Sequence, residues 1–334
     1  MKNRLFYFSF FSAFLPIVNA IGYLSVFKNI KFTDNLLFYF FIIYLSVVFL
    51  VNVLFFEPLM AISSVRFYFG FLIFYIVFKY SSYRFCSSHF LFLCFLVVLE
   101  SVVINTVISP QLMPNFPDAS APSHFNIGGY QRPYSFAGNA SVASLILVVL
   151  FTMLRFKLLN FLMLSLSVLV LSSGVGYLSF IFMIYCFIFV RVPLLTVFIS
   201  LLLIFLGGIF INNFDLAFFS SKVSNAYINF LVEFKLGQIK DVFASFTYID
   251  FIFGDVSNYS NIGLGGDFGW VYFFSGFGLV GSCLIVAFLI NKSNKVNFMP
   301  LLIIFLFTWH YPAMFFLSGQ VVLGYVLNCR KRGP

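Results

Sequence analysis

The chain has 334 residues, of which 62% are hydrophobic and only 9% charged, with a formal net charge of +9. Soluble domains carry about 25% charged residues, so this composition excludes an ordinary water-soluble domain. The excess of positive charge does not indicate nucleic acid either, because Lys and Arg sit in short connections between apolar runs and not on one basic face.

Apolar runs of about 20 residues, the length that crosses a bilayer core of about 30 Å, recur along the whole chain. A β-barrel would need alternation with period two, which runs such as 36–56 lack. The expected fold is therefore all-α, a single polytopic membrane domain over 1–334 with about 10–12 membrane-spanning helices. In chain order, Met1–Arg4 and the apolar run 5–27 resemble a signal sequence without a small-residue cleavage site, which predicts a retained first helix. Runs at 36–56, 59–78 (containing Arg66) and 90–109 (containing Glu100) follow, with Glu57-Pro58 as a break. A first long polar loop covers 110–139, and apolar runs occupy 140–154, 158–172, 176–190 and 193–211. A large loop covers 212–269, before runs at 269–290, 298–309 and 312–328.

Orientation follows from the basic connections. With the Arg330–Arg332 tail inside, Lys292/Lys295, Arg191, Arg155/Lys157, Lys79/Arg84 and Lys28/Lys31 all fall inside, and both long loops fall outside. Eleven crossings place Lys2 and Arg4 outside, against the rule. Either those charges are overruled, or the region near 57–66 changes the helix count.

The 212–269 stretch is the one long segment expected not to sit in lipid, since it carries nine charged residues between Asp215 and Asp267. Loops beyond about 15 residues are usually functional or disordered, and its Phe, Ile and Tyr content argues against a solvated linker. The five cysteines avoid both long loops and show neither a disulfide framework nor metal-ligand spacing.

Several residues have the chemistry of a site. Arg132 stands just before a helix start that Asn139 or Ser141 can cap, an arrangement suited to an anion such as pyrophosphate. An interfacial arginine paired with lipid phosphate or Asp118 would look the same. Arg66 and Glu100 are ionisable residues within apolar runs and fit a structural ion pair, or Arg66 joins Arg132 at an anion site. Asp267, in Gly265-Gly-Asp-Phe-Gly269, reads as a helix cap beside glycines that permit close approach of a ligand. Asp255 and Asn258 precede it in a turn-rich stretch. His310, in Trp309-His-Tyr-Pro312, is a general-base candidate or an aromatic-belt residue; His124 and His89 have weaker claims. No Walker loop, dinucleotide fingerprint, His-Glu-x-x-His or Asp-x-Asp is present, so metal-free chemistry without a cofactor is expected.

Three segments together resemble a family: Arg132-Pro-Tyr-Ser-Phe-Ala-Gly-Asn139 entering a helix, the Ser-rich turn Leu171-Ser-Ser-Gly174, and a long loop ending Gly266-Asp-Phe-Gly-Trp270 before Phe277-Gly-Leu-Val-Gly281. This layout is similar to that of bacterial O-antigen polymerases, within the group that includes O-antigen ligases. One departure is that the ligase-like members often carry Ser-Arg-Gly in the Ser-rich turn, whereas Ser173-Gly174 has no arginine.

The resemblance implies a multi-pass inner-membrane enzyme with both long loops periplasmic, joining undecaprenyl-pyrophosphate-linked repeat units of surface polysaccharide. Its implied partners are those lipid-linked oligosaccharides, membrane lipid and a chain-length regulator protein. On that reading Arg132 binds the leaving pyrophosphate with Arg66 as a second cation, and Asp267 or His310 takes the acceptor proton. Tyr130, Tyr134, Tyr259 and Trp270 stack on sugars, and Asn139 and Asp255 complete the substrate contacts. Ligation of finished polymer to lipid A core is the near alternative. A lipid-linked sugar flippase, for which internal repeats and paired broken helices are expected, is the more distant one, and a non-catalytic membrane scaffold is a third.

Overall fold

Apolar runs closed off by Pro, Gly, Asn and Ser set the helices of this chain, as seen in a computed structural model that describes residues 34–55, 58–79, 85–106, 126–127, 130–191, 240, 243–244, 246–256, 268–309 and 311–329. In order these are α1 (Leu36–Phe55), α2 (Pro58–Lys79) and α3 (Ser87–Thr106), then paired strands β1 (Asn126–Ile127) and β2 (Tyr130–Gln131). Next come α4 (Ala140–Thr152), α5 (Leu158–Leu171), α6 (Gly174–Arg191) and the short α7 (Tyr248–Phe253). Then follow α8 (Gly269–Lys292), α9 (Phe298–Thr308), a 3-10 turn (Ala313–Phe315) and α10 (Leu317–Asn328). The expected runs 5–27 and 193–211 lie outside the described residues. Pro58 opens one continuous helix to Lys79, its missing N–H costing nothing at a first helical position.

Among the described residues three helices, α1, α3 and α8, are long and apolar enough to cross a membrane. On α1, Phe38, Phe41, Leu45 and Val48 are buried while Phe40, Ile43, Val47, Leu50 and Leu54 are exposed. A helix apolar on its outward face as well as its inward one is at home in hydrocarbon and would be a large sticky patch in water.

The helix α4 is buried along its whole length from Val142 to Phe151 and forms the centre of the bundle. It packs closely on α6, where Gly176 lies so near α4 that an added Cβ would stand 2.6 Å from Ser144 Cβ. Gly176→Ala is expected to cost about 1–3 kcal/mol through overpacking, read as a lower thermal midpoint in detergent; an unchanged midpoint would show that the two helices separate freely.

Side-chain bonds tie the helix ends together in two groups. At the basic end, Asp34, before α1, binds Lys79 and Lys292, Phe85 N–H donates to Tyr325 (2.9 Å) and Asn160 to Ser87 (3.1 Å). At the other end Asn105 meets Gln131 and Asn139 meets Tyr311. One expectation needs revision. The runs at 140–154, 158–172, 298–309 and 312–328 hold helices of 13, 14, 11 and 12 residues, about 17–21 Å long at 1.5 Å per residue and too short to cross about 30 Å alone. Residues 246–256 of the large loop pack against α8, with Phe251 on Phe274 and Asp255 N–H bonded to Ser275 O (2.7 Å).

That helix is broken at Gly278, whose φ of 61° and ψ of −164° are non-helical. Tyr44 of α1 donates to the carbonyl of Phe277 (2.9 Å) at the break and to that of Phe253 (3.1 Å) at the end of α7.

Candidate functional site

The site is organised by residues 130–139, which turn back among the helices before starting α4. The turn demands unusual backbone: Ser135 has φ 66° and Gly138 φ 72°. A non-glycine residue in the left-handed region is strained unless its surroundings hold it. Glu100 of α3 supplies that hold, its two carboxylate oxygens accepting the N–H groups of Tyr134 (2.9 Å) and Ser135 (2.8 Å). Glu100 therefore binds backbone amides, a role that the expected pairing with Arg66 did not include.

Asn139 then caps α4, accepting from Ser141 N–H (2.8 Å) and Val142 N–H (3.3 Å), as a helix-capping Asn should. Its side-chain amide donates to Tyr311 (2.6 Å). Asn105 brackets Gln131, taking its N–H and giving to its carbonyl, both at 2.9 Å.

The Ser-rich turn arrives at the same place. Ser172 ends α5 in the left-handed conformation (φ 45°), and its carbonyl accepts from Arg132 Nη1 at 3.4 Å. Ser173 begins α6, accepting from Gly176 N–H (3.4 Å) and donating to Ser141 Oγ (2.9 Å). Thus the first turns of α4 and α6, each with a polar cap, meet beside the guanidinium of Arg132. Helix N-termini carry partial positive charge, so this arrangement suits an anion.

The cluster is recessed. Glu100 stands six residues before the end of α3 at Thr106, which sets the turn about 9 Å below that end at 1.5 Å per residue.

The sequence-predicted residues divide. Arg132 and Asn139 come together with the Ser-rich turn. Tyr130 joins them, but as a brace: its hydroxyl donates to Val170 O (2.6 Å) and lies 2.8 Å from Ser101 Oγ. Burial pushes its phenol above the ordinary value, with the Ser101 contact opposing and Tyr177 adding to the rise. Tyr134 and Trp270 are buried, at 3% and 6% exposure, and the indole of Trp270 donates to Phe305 O (2.7 Å) among Phe273, Phe305 and Phe315. Both rings are packed in the core here. Asp255 lies with α7 and α8, its N–H donating to Ser275 O (2.7 Å). Asp267, His310, Tyr259 and the side chain of Arg66 lie outside the described residues, although Tyr311, next to His310, is in the cluster. Among the described residues no three His, Cys, Asp or Glu side chains group as a metal site would need.

Glu100 and Tyr311 are the contributors that sequence reasoning did not assign to the site. An acidic residue within an apolar run was the available signal for Glu100; Tyr311 had none beyond its neighbour His310. Glu100→Gln retains one carbonyl for two amides and is expected to cost about 1–3 kcal/mol, measured as thermal stability in detergent; wild-type stability in that variant would remove Glu100 from its holding role. Compared with family models, curated proteins and solved structures, the chain finds no match.

Proposed function

We propose that this chain is a polymerase of surface polysaccharide, a multi-pass inner-membrane protein that joins undecaprenyl-pyrophosphate-linked repeat units on the periplasmic side. The observation that carries this reading is the convergence of Arg132, Ser172–Ser173 and Asn139: two separate segments that resemble O-antigen polymerases meet in one recessed polar cluster.

The chemistry asks little of the protein beyond placement. An acceptor hydroxyl attacks the anomeric carbon of the donor glycan, the new C–O bond forms as the bond to pyrophosphate breaks, and the hydroxyl proton passes to a base. Undecaprenyl pyrophosphate leaves with the bonding electrons. Positioning and charge neutralisation dominate such transfers. Arg132 and the positive ends of α4 and α6 are suited to the leaving group, and a guanidinium binds phosphate oxygens in a planar, two-pronged fashion. Asp267 or His310 is the candidate base, and Arg66 the second cation.

The ligase reading shares the donor but needs lipid A core as acceptor. The flippase reading asks for paired broken helices, and among the described helices α8 alone carries such a break. Reconstituted protein supplied only with lipid-linked repeat unit should release undecaprenyl pyrophosphate and form oligomers. Turnover that starts only when lipid A core is added would make it a ligase, and movement of intact lipid across the vesicle without bond cleavage would make it a flippase.

A further inference from the structure

Helix α7 presents an outward face of Tyr248, Ile249, Ile252 and Phe253, all exposed, Ile249 at 69%. Thr247 and Asp250 at its start are bonded to each other's side chains and N–H groups in a capping box. Its inner side packs on α8, with Phe251 against Phe274 (ring centroids 5.1 Å).

The level of this contact matters. Asp255 N–H bonds to Ser275 O and Tyr44 bonds to Phe277 O, residues six and eight positions inside α8 from Gly269, or about 9–12 Å from that end. Tyr44 itself is eight residues inside α1 from Leu36. Beside the contact, Ile43 and Val47 of α1 and Leu279 of α8 are exposed, so the outward face of α7 continues the apolar flanks of two helices able to cross a membrane. The backbone at the end of α7 is also completed by protein: Phe253 O accepts from Tyr44, Gly254 N–H donates to Asp250 O (2.7 Å), and Asp255 N–H to Ser275 O (2.7 Å). Irregular backbone at membrane depth persists only where protein satisfies it in this way.

We infer that α7 is a re-entrant helix seated in the hydrocarbon of the bilayer, its outward face covered by the acyl chains of bilayer phospholipid. This rests on reading α1 and α8 as membrane-spanning, and goes beyond the proposed activity by moving part of the large loop from water into lipid. The glycines at 254 and 278 let the segment lie in the break of α8, where a Cβ at Gly278 would stand 2.4 Å from Ile252 O.

The test is the environment of a fluorophore on Ile249→Cys, in full-length protein whose five cysteines are replaced, reconstituted in phosphatidylcholine vesicles. The same label on Ile43→Cys reports on α1. Spin-labelled acyl chains should quench the Ile249 probe about twofold or more, as expected inside the hydrocarbon, and aqueous iodide should leave it nearly unchanged. If iodide quenches Ile249 while the acyl-chain quencher reaches Ile43, α7 is in water: the inference fails and the membrane reading stands. If iodide quenches both, the membrane reading fails too. Silence to both quenchers at Ile249 means a protein surface covers α7 and also overturns the inference. Should the cysteine-replaced chain not fold, Ile249→Trp in the natural-cysteine chain, with brominated phosphatidylcholine as quencher, gives the same readout as added emission lost.

Discussion

Asp34→Asn is expected to destabilise the chain by about 3–5 kcal/mol, the cost of removing one partner from a buried charge cluster. The Asp34 side chain is only 5% exposed and its carboxylate meets Lys79 at 2.9 Å, Lys292 at 2.5 Å and the Tyr75 hydroxyl at 2.5 Å. Lys292 is 8% exposed and lies 5.2 Å over the Tyr75 ring. Removing the carboxylate leaves two ammonium groups close together without their shared counter-charge, and it unties the start of α1 from the ends of α2 and α8. Thermal unfolding in detergent measures this; a midpoint equal to the parent's would contradict it.

The pH dependence has a definite sign. Burial disfavours the Asp34 charge, but the bonds from Lys292, Tyr75, Lys79 and the Asn35 amide outweigh it and hold the carboxyl well below the usual carboxylate range. A depressed carboxylate supplies its full stability above the unfolded value, about pH 4, and loses it only as pH falls through the lower folded value. The parent's advantage over Asp34→Asn should therefore persist at mildly acid pH and vanish only in strong acid.

Arg132→Ala is expected to reduce polymer formation about 10²–10³-fold, the scale for removing one preorganised donor from developing charge. Its effect on folding should be small, since the turn is held independently by Glu100 and Asn139. Arg132→Lys keeps the charge but not the planar fork and should fall between the two. Release of undecaprenyl pyrophosphate by the reconstituted protein, with thermal stability measured alongside, separates the cases. Full activity in Arg132→Ala would remove this residue from the site.

The parts legible in the sequence were those governed by local chemistry. Apolar runs and their breakers located the described helices, and Asn139 was recognisable as a cap. The lengths of α4, α5, α9 and α10 were not legible, because helices inside a bundle can be apolar whether or not they reach both surfaces. Nor was the packing of α7 into the break of α8, which joins positions such as Tyr44, Phe253 and Phe277 that are far apart in the chain. In a chain with 54 Phe and 18 Tyr, aromatic residues near polar loops are weak markers of sugar contact, and Tyr134 and Trp270 proved to be core. Glu100 was visible as an unusual charge, but its partners are backbone amides, which carry no sequence signal.

Joining of lipid-linked repeat units through the Arg132 cluster is the activity proposed for this chain. The most direct measurement is the surface-polysaccharide ladder of cells lacking the gene, complemented with the parent chain or Arg132→Ala at matched expression. Deletion should collapse the ladder to core plus one repeat, the parent should restore it, and Arg132→Ala should not. An unchanged ladder on deletion would contradict the account, and naked core with accumulating lipid-linked polymer would assign the chain to ligation instead.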